Sequence, residues 1–424
     1  IDLTLSEGRK MSVDFYGSDI FRLFRDDNGG EIRDPEAKPQ AQILVNQPRK
    51  EVKSLKLTDA EGKINIVTDT VRLEFDKASS LLKLVRLSDG EVLMNQLTAP
   101  AIGDKQVSLT LEEHDDEYFY GGGVQNGRFS HKGKSIAIEN QNSWTDGGVA
   151  SPNPYFWSTR GYGVMWYTFK SGRYDFDSSD TGKVTLSHKT NYLDLFIMAG
   201  EKPADLLSRY YQLTGNPLLL PKFGFYIGHL NAYNRDYWVE DEKGILFEDG
   251  KHYKESQKDN GGVRETLNGE KGNRQFSARA VIDRYSDADM PLGWLLPNDG
   301  YGAGYGQTDS LKGNVANLRE LGDYARKNGV EIGLWTQSDL HPKEGVKPLL
   351  QRDLISEVRD AGVRVLKTDV AWVGPGYSFG LNGIADAANI IAKEGDDARP
   401  FIISLDGWAG TQRYAGVWSG DQTG

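Results

Sequence analysis

The sequence predicts an all-β region followed by a parallel α/β domain, and two observations carry this prediction. Up to about Phe196, short runs alternate apolar and polar residues between Gly, Asn and Asp, which is typical of an antiparallel β-sandwich. From Phe223 onward, apolar runs alternate with amphipathic ones, which indicates strands and helices of a parallel sheet. We therefore expect a β-sandwich over 1–200, a helical linker over 201–222 and a catalytic (β/α)8 barrel over 223–424.

The period of two in the first region is clearest in KINIVTDTVRLEFD, KLVRLSDGEVL and YGVMWYTFKSGRYDFD. Successive side chains of a strand point to opposite faces, so this pattern predicts one buried and one solvated face. The next segment, EKPADLLSRYYQLTG, has the spacing of a compact helix, and NPLLLPK has the composition of a linker.

Six apolar runs in the second region predict strands that are covered on both faces. They are FGFYIGHL, LGWLLPND, VEIGLWTQSDL, VRVLKTDVAW, RPFIISLDGW and YAGVWSGD. Each run ends in polar or carboxylate residues, and barrel enzymes draw catalytic groups from these strand ends. An open doubly wound sheet is the alternative fold. Because six strands do not close an eight-stranded barrel, we expect the native protein to continue beyond Gly424.

Residues 239–276 form a charged insertion with little apolar periodicity, at the place of the first βα loop of a barrel. Loops at that end of a barrel commonly border the active site, so the insertion is a candidate rim or lid. A solvated excursion without such a role is the alternative.

The composition narrows the class of partner. The 424 residues include 50 Lys and Arg against 61 Asp and Glu, for a net charge of −11, so no chain-wide positive field attracts nucleic acid or anionic lipid. No apolar run is long enough for a membrane helix. The 20 Tyr and 9 Trp residues favour a carbohydrate partner, because aromatic rings stack on sugar rings. The oligomeric state is not predicted.

Several kinds of catalytic site lack their usual motifs. There is no Cys, which removes thiolate nucleophiles and disulfides, and the six His show no zinc-ligand spacing. The glycine strings YGGGVQNG and DGYGAGYGQ match neither a Walker loop nor a dinucleotide fingerprint, and no GxSxG elbow occurs. We therefore expect no metal and no cofactor.

Carboxylates at the ends of predicted strands remain as candidates for chemistry. They are Asp299, Asp339, Asp369, Asp406 and Asp421. Two of them, Asp369 and Asp421, end strongly apolar strands near aromatic residues, as glycoside hydrolysis requires of its two carboxyl groups. The alternative for any one of them is a helix N-cap or a turn.

Four segments of the chain resemble glycoside hydrolase family 31. GTQRYAGVWSGDQTG resembles its acid/base region, VRVLKTDVAWV its nucleophile strand, MPLGWLLPNDGY its second barrel strand, and SPNPYFWSTRGYGVMWY a strand pair of its N-terminal β-sandwich. The resemblance implies that Asp369 is the nucleophile and Asp421 the general acid/base of a retaining α-glycosidase, and that Asp299 hydrogen-bonds sugar hydroxyls. It implies no cofactor.

Seven further residues are candidates for substrate binding. Lys367, two positions before Asp369, should point the same way and favour the ionised carboxylate; a strand-surface residue is the alternative. The aromatic candidates are Trp335, Trp372, Tyr377, Trp418 and Trp144. Trp144 lies in the sandwich loop NQNSWTDGGVASPN, which also contains the polar candidate Asp146. Core packing is the alternative for Trp335, Trp372 and Tyr377, and an ordinary exposed loop is the alternative for the loop of Trp144.

The chain departs from the α-glucosidase pattern of the family in two places. Its nucleophile run is LKTDVAWVG rather than a Trp-x-Asp-Met-Asn-Glu type, and Leu405 stands where an Arg is expected sixteen residues before the acid. That Arg ordinarily binds hydroxyls near C2 and C3. Leucine leaves room and apolar surface for a larger C2 substituent such as an acetamido group.

The segments GHLNAYNRDYW, LPNDGYGAGYG and KTDVAWVGPGYSFGLNG look most like the family branch that releases terminal α-linked N-acetylgalactosamine from O-glycans. We therefore expect a retaining, exo-acting hydrolase whose two aspartates perform a double displacement about 5 to 5.5 Å apart. An α-galactosidase is the next alternative, followed by an α-glucosidase or α-xylosidase. A transglycosylase and a non-catalytic carbohydrate-binding protein also remain open. The substrate class predicts a secreted or periplasmic protein.

Overall fold

The protein is described by a computed structural model. The described residues are 1–5, 8–27, 41–231, 237–256, 258–297, 312–336, 340–341, 344–345, 353–368, 376–405 and 407–421.

Strands dominate the first half of the chain. Those described before the first helix are β1 (Asp2–Thr4), β2 (Lys10–Gly17), β3 (Ile20–Arg25), β4 (Lys56–Ala60), β5 (Lys63–Val67), β6 (Val71–Asp76), β7 (Leu82–Arg86), β8 (Val92–Asn95), β9 (Ala101–Ile102), β10 (Val107–Glu112), β11 (Phe119–Gln125), β12 (Lys134–Ile138), β13 (Val149–Ser158), β14 (Tyr162–Trp166), β15 (Gly172–Phe176), β16 (Lys183–His188) and β17 (Leu193–Ala199).

These strands pair into three antiparallel sheets. A seven-stranded sheet has the order β1-β2-β3-β17-β14-β13-β11, and two five-stranded sheets have the orders β12-β15-β16-β10-β9 and β4-β5-β6-β7-β8. Burial alternates strictly along β6 and β10, as the period of two in the sequence predicts.

The three sheets share one hydrophobic core, to which Phe21, Leu73 and Val184 each contribute from a different sheet. Phe156 of β13 meets Phe176 of β15 edge to face, with ring centroids 5.2 Å apart. Apolar side chains therefore fill the space between layers, as expected for a sandwich-type region.

A buried ion pair lies within the seven-stranded sheet. Arg22 donates from Nε and Nη2 to the two carboxylate oxygens of Asp194, over 2.7 and 2.8 Å, and both side chains are buried. Removing one partner leaves the other charge buried without compensation. We therefore expect Asp194→Ala to lower the free energy of unfolding by about 3–5 kcal/mol, measured by urea denaturation.

The matched control is Asp14→Ala, because Asp14 pairs with Arg49 on the surface. Exposed ion pairs contribute at most about 1 kcal/mol, since water already solvates both charges. Equal effects of the two substitutions would contradict a special role for the buried pair.

The remaining elements begin with helix α1. They are α1 (Pro203–Thr214), β18 (Ile227–Asn231), β19 (Tyr237–Leu246), β20 (His252–Ser256), β21 (Val263–Arg264), α2 (Ala278–Asp287), β22 (Leu292–Pro297), α3 (Lys312–Lys327), β23 (Glu331–Thr336), α4 (Leu354–Arg359), β24 (Val363–Thr368), α5 (Tyr377–Glu394), β25 (Phe401–Ser404) and β26 (Gly416–Val417). Among the described residues, a search for a helix long and apolar enough to cross a bilayer finds none.

Six strands form a parallel sheet in the sequential order β18-β22-β23-β24-β25-β26. All six predicted strands are present, and β22 and β23 are buried along nearly their whole length. A doubly wound sheet would reverse its order at a switch point, and the described strands show no such reversal. Closure into an eight-stranded barrel stays a prediction.

The two faces of this sheet have different surroundings. Leu295, Leu334 and Leu366 share a core with residues of the helices. The opposite face carries a second cluster, composed of Trp294, Leu296, Trp335 and Val365. Since Lys367 lies two positions after Val365 on β24, it extends from the face of this second cluster.

The insertion 239–276 is more regular than its sequence indicates. Strands β20, β19 and β21 form an antiparallel sheet over a small core of Trp238, Tyr253 and Phe276. The low apolar periodicity reflects the many exposed positions of β19. A few aromatic side chains supply the burial that longer apolar strands would otherwise provide.

Candidate functional site

Three of the predicted site residues meet at the carboxyl ends of the parallel strands. The ammonium nitrogen of Lys367 lies 3.9 Å from Oδ1 of Asp421 and 4.9 Å from the ring centroid of Trp418. Lys367 is only 6% exposed, whereas the side chain of Asp421 is 76% exposed. The site therefore combines the nearly buried lysine Lys367 with the solvent-exposed carboxylate of Asp421.

Neighbouring strands fix the position of Lys367. In the parallel register, Lys367 of β24 is paired with Trp335 of β23 and with Ile403 of β25. At the end of β24, the hydroxyl group of Thr368 donates to the hydroxyl oxygen of Ser404 over 2.8 Å, and both residues are buried. This bond ties the ends of β24 and β25 together directly beside the site.

Trp335 lies next to the site but does not offer a stacking surface. It is 2% exposed and packs with Trp294, Leu296 and Val365. The predicted contact with sugar is therefore not supported by the structure, which places the ring in the core, on the strand next to that of Lys367.

A loop of the first region reaches the segment that carries Asp421. Gly420 adopts a φ of +94°, and a Cβ atom there would lie 1.9 Å from Cε3 of Trp144. The indole of Trp144 thus lies directly against the backbone of the residue before Asp421, which only glycine permits. The contact places the loop NQNSWTDGGVASPN beside the segment that carries Asp421, which favours a site role for this loop over an ordinary exposed loop. Asp146 of the same loop is exposed.

Tyr377 makes contacts that differ from the prediction. Its ring stacks on Trp408 with centroids 4.1 Å apart and an angle of 11°, and its hydroxyl oxygen accepts a hydrogen bond of 2.8 Å from the backbone N–H of Asn140. Trp408 in turn donates from Nε1 to the carbonyl oxygen of Thr168. One face of Tyr377 is therefore occupied, and the residue joins α5 to the first region.

Leu405 is fully buried, and its carbonyl oxygen accepts a hydrogen bond of 2.6 Å from the hydroxyl group of Ser151. The predicted apolar surface for a C2 substituent is thus not accessible at this side chain. Compared with the expected arginine, Leu405 differs in that it carries no charge at this position.

Three predicted site residues lie outside the described residues: Asp299, Asp369 and Trp372. The same holds for Asp339 and Asp406. The separation of Asp369 and Asp421, and with it the stereochemical outcome, stays a prediction.

One residue that the sequence reasoning missed is Asn126, which follows β11. Its side-chain amide donates to the carbonyl oxygens of Ser143 over 3.0 Å and of Ser419 over 3.2 Å. The sequence feature that points to Asn126 is the glycine string YGGGVQNG, which was compared only with phosphate-binding motifs. At Gly123, with φ of +83°, a Cβ atom would lie 2.1 Å from the carbonyl oxygen of Ser151, so these glycines permit an irregular, close pairing of β11 with β13.

Two histidines of the first region, His131 and His188, are buried in its core. His188 is fully buried, which lowers its pKa to about 4, and its Nε2 lies 2.9 Å from the hydroxyl oxygen of Tyr174. Burial likewise lowers the pKa of His131. A search of the described residues for three or more His, Asp or Glu side chains that could hold a metal ion finds none.

Comparisons with known proteins converge on sugar-cleaving enzymes. Residues 10–175 match the Glycosyl hydrolase 31 N-terminal galactose mutarotase-like domain. The chain is 28% identical over 164 residues to an α-xylosidase of Emericella nidulans, covering 38% of this chain and 21% of that protein. It is 26% identical over 225 residues to α-xylosidase XylQ of Lactiplantibacillus pentosus, covering 53% of this chain and 28% of that protein.

A solved structure shares the fold. The GH31 dextranase of Flavobacterium johnsoniae, complexed with glucose, superposes with a TM-score of 0.74 at 15% identity, over 98% of this chain and 54% of the dextranase. The chain thus spans about half the length of this enzyme, and its matches span between a fifth and a third of the two curated α-xylosidases.

Proposed function

We propose that the protein is a retaining α-glycoside hydrolase, because the comparisons support glycoside hydrolase family 31. The observation that carries the proposal is the meeting of Lys367, near the end of β24, with Trp418 and Asp421, which follow β26 of the same parallel sheet. A carboxyl group that is open to solute, beside an aromatic ring, is what a sugar-cleaving acid/base requires.

The proposed reaction has two steps with Asp369 as nucleophile. In the first step, the Asp369 carboxylate bonds to the anomeric carbon while the glycosidic bond breaks and Asp421 gives its proton to the departing oxygen. In the second step, water gives a proton to Asp421, attacks the anomeric carbon and releases Asp369. If β24 extended by one residue, Asp369 would share the face of Lys367, since residues two apart in a strand point the same way.

Lys367 and Trp418 have proposed roles in holding the sugar. The ammonium group of Lys367 can donate up to three hydrogen bonds to hydroxyl or carboxylate oxygens. The partly exposed ring of Trp418 can cover an apolar face of a pyranose. Asp299 is the proposed partner of further hydroxyl groups. The six-stranded parallel sheet is proposed to belong to a (β/α)8 barrel.

For the sugar itself, we propose terminal α-linked N-acetylgalactosamine. This proposal is supported by the resemblance of KTDVAWVGPGYSFGLNG and two further segments to that branch of the family, and by the uncharged Leu405 where the family's glucosidases have arginine. Removing a fixed cation from the region of C2 makes room for a neutral acetamido group. Because such glycans occur outside cells, a secreted or periplasmic location is proposed with it.

A second candidate is an α-xylosidase, because both curated relatives described above are α-xylosidases. A panel of nitrophenyl α-glycosides of N-acetylgalactosamine, galactose, glucose and xylose distinguishes the candidates when it is measured with the full-length protein. We expect kcat/KM for the N-acetylgalactosaminide to exceed the others by at least about tenfold, since the matching of one substituent commonly changes kcat/KM by that much.

The outcomes of the panel are distinct. Highest activity on the xyloside would replace the first candidate with the second. Binding of a sugar without turnover of any glycoside would instead favour a carbohydrate-binding protein on the same scaffold. The anomeric form of the first product, read by proton NMR before mutarotation, tests retention of configuration.

A further inference from the structure

Asn126 connects two segments that are far apart in the chain. Its side-chain amide nitrogen donates one hydrogen bond to the carbonyl oxygen of Ser143 and another to that of Ser419, 293 positions away. The side chain is buried, so these two bonds are shielded from competing water. Asn126 thus joins the loop before β13 to the segment after β26.

Backbone hydrogen bonds also connect Asn126 to the same loop. Its N–H group donates to the carbonyl oxygen of Gly148 over 3.0 Å, and its carbonyl oxygen accepts from the N–H group of Gly147 over 2.9 Å. Together with the bond to Ser143, these contacts fix the base of the loop that carries Trp144. The loop is therefore positioned by Asn126 at both of its ends.

The second segment leads directly to the proposed acid/base. Ser419, whose carbonyl oxygen is bound by Asn126, precedes Asp421 by two residues, and Gly420 between them lies against Trp144. The carboxylate of Asp421 is mostly exposed and has a cation at 3.9 Å. Because this ion pair is long and its Asp421 side is mostly exposed, it constrains the carboxylate weakly. The position of the carboxylate therefore depends on the backbone that carries it.

We propose that Asn126 is a positioning residue for Asp421. It holds residues 419–421 against the loop of Trp144, so that the carboxyl group of Asp421 stays aimed at the oxygen of the departing group. This inference rests on the proposed function, in which Asp421 is the acid/base. A displacement of about 1 Å in such a group can reduce the rate by roughly a hundredfold.

The test compares two leaving groups on the same sugar. Proton donation matters for a poor leaving group, such as an alcohol or a second sugar, and matters little for 2,4-dinitrophenolate, which departs without a proton. For Asn126→Ala in the full-length protein, we expect kcat/KM to fall by about 10- to 100-fold on a methyl or disaccharide α-glycoside. On the 2,4-dinitrophenyl glycoside we expect a change smaller than about threefold, because kcat/KM reports the first bond cleavage.

The matched control is Asn95→Ala, because the side-chain amide of Asn95 also donates a hydrogen bond that joins two parts of the first region, from β8 to Glu112 of β10 in another sheet over 2.9 Å. It is expected to leave both substrates unaffected. If Asn126→Ala does not yield folded protein, Asn126→Ser is measured in the same way, since its short hydroxyl donor cannot reach both carbonyl oxygens.

An equal decrease on both substrates, or no decrease on either, would overturn the proposed role of Asn126. The parallel measurement on Asp421→Ala separates this result from failure of the proposed function. If Asp421→Ala shows the dependence on the leaving group and the Asn126 variant does not, only the positioning role fails. If Asp421→Ala shows no such dependence, the proposed acid/base itself is wrong.

Discussion

Replacing Asp369 by asparagine is expected to reduce kcat on every α-glycoside substrate by about 10⁴-fold or more, because a neutral amide is a poor nucleophile at the anomeric carbon. In the native protein, acid quenching during turnover should leave one glycosyl unit attached to the peptide that contains Asp369. Mass spectrometry should find this mass increase in the native protein and not in Asp369→Asn. Binding of the sugar product should persist in the variant, since only one side-chain atom changes.

The control for this substitution is Asp397→Asn. Asp397 is exposed and adopts a φ of +57°, a conformation that asparagine also tolerates, so both stability and turnover should be unchanged. Unaltered turnover in Asp369→Asn would remove the nucleophile assignment. A glycosyl unit attached to a different peptide would move the assignment to another carboxylate.

Replacing Asp421 by alanine is expected to reduce kcat/KM by about 10²- to 10⁴-fold on substrates whose leaving group needs a proton. The loss should be small for 2,4-dinitrophenyl glycosides, whose leaving group departs as an anion. On these activated substrates the second step becomes limiting, because water lacks its base. Added azide should then restore turnover and yield an α-glycosyl azide, since an anion attacks without the help of a base.

Asp180→Ala is the matched control for this variant. Asp180 is an exposed aspartate that lies 3.6 Å from the ammonium group of Lys183. Like Asp421, it is an exposed carboxylate with a lysine nearby, but it lies away from the ends of the parallel strands. It should show neither a dependence on the leaving group nor rescue by azide. Rescue that yields the β-azide would indicate that Asp421 is the nucleophile instead of the acid/base.

The pattern of strands was predictable because it depends on local chemistry. An apolar run such as LGWLLPND can be stabilised only where both of its faces are covered, and β22 shows this burial. The alternation in KINIVTDTVRLEFD likewise requires a sheet with one buried face, as β5 and β6 have. The small sheet of the insertion was missed, because its core consists of a few aromatic residues separated by charged ones.

Side-chain roles near the site were less predictable. For Tyr377 and Trp335 the sequence left both sugar stacking and core packing open, and the structure stacks Tyr377 on Trp408 and places Trp335 in the core. Whether a ring faces solvent depends on what packs against it, which a single segment does not reveal. Leu405 is a similar case, since its side chain is fully buried and its carbonyl oxygen is bound by Ser151 of the first region.

The sequence by itself determined the two kinds of sheet and the six apolar runs that form the parallel strands, because propensity and periodicity act over a few residues. Only the tertiary structure decided that Lys367 meets Asp421 and that Asn126 binds the carbonyl oxygen of Ser419. Such contacts arise when sheets pack and bring distant segments together. The sequence pattern of either segment alone carries no record of its partner.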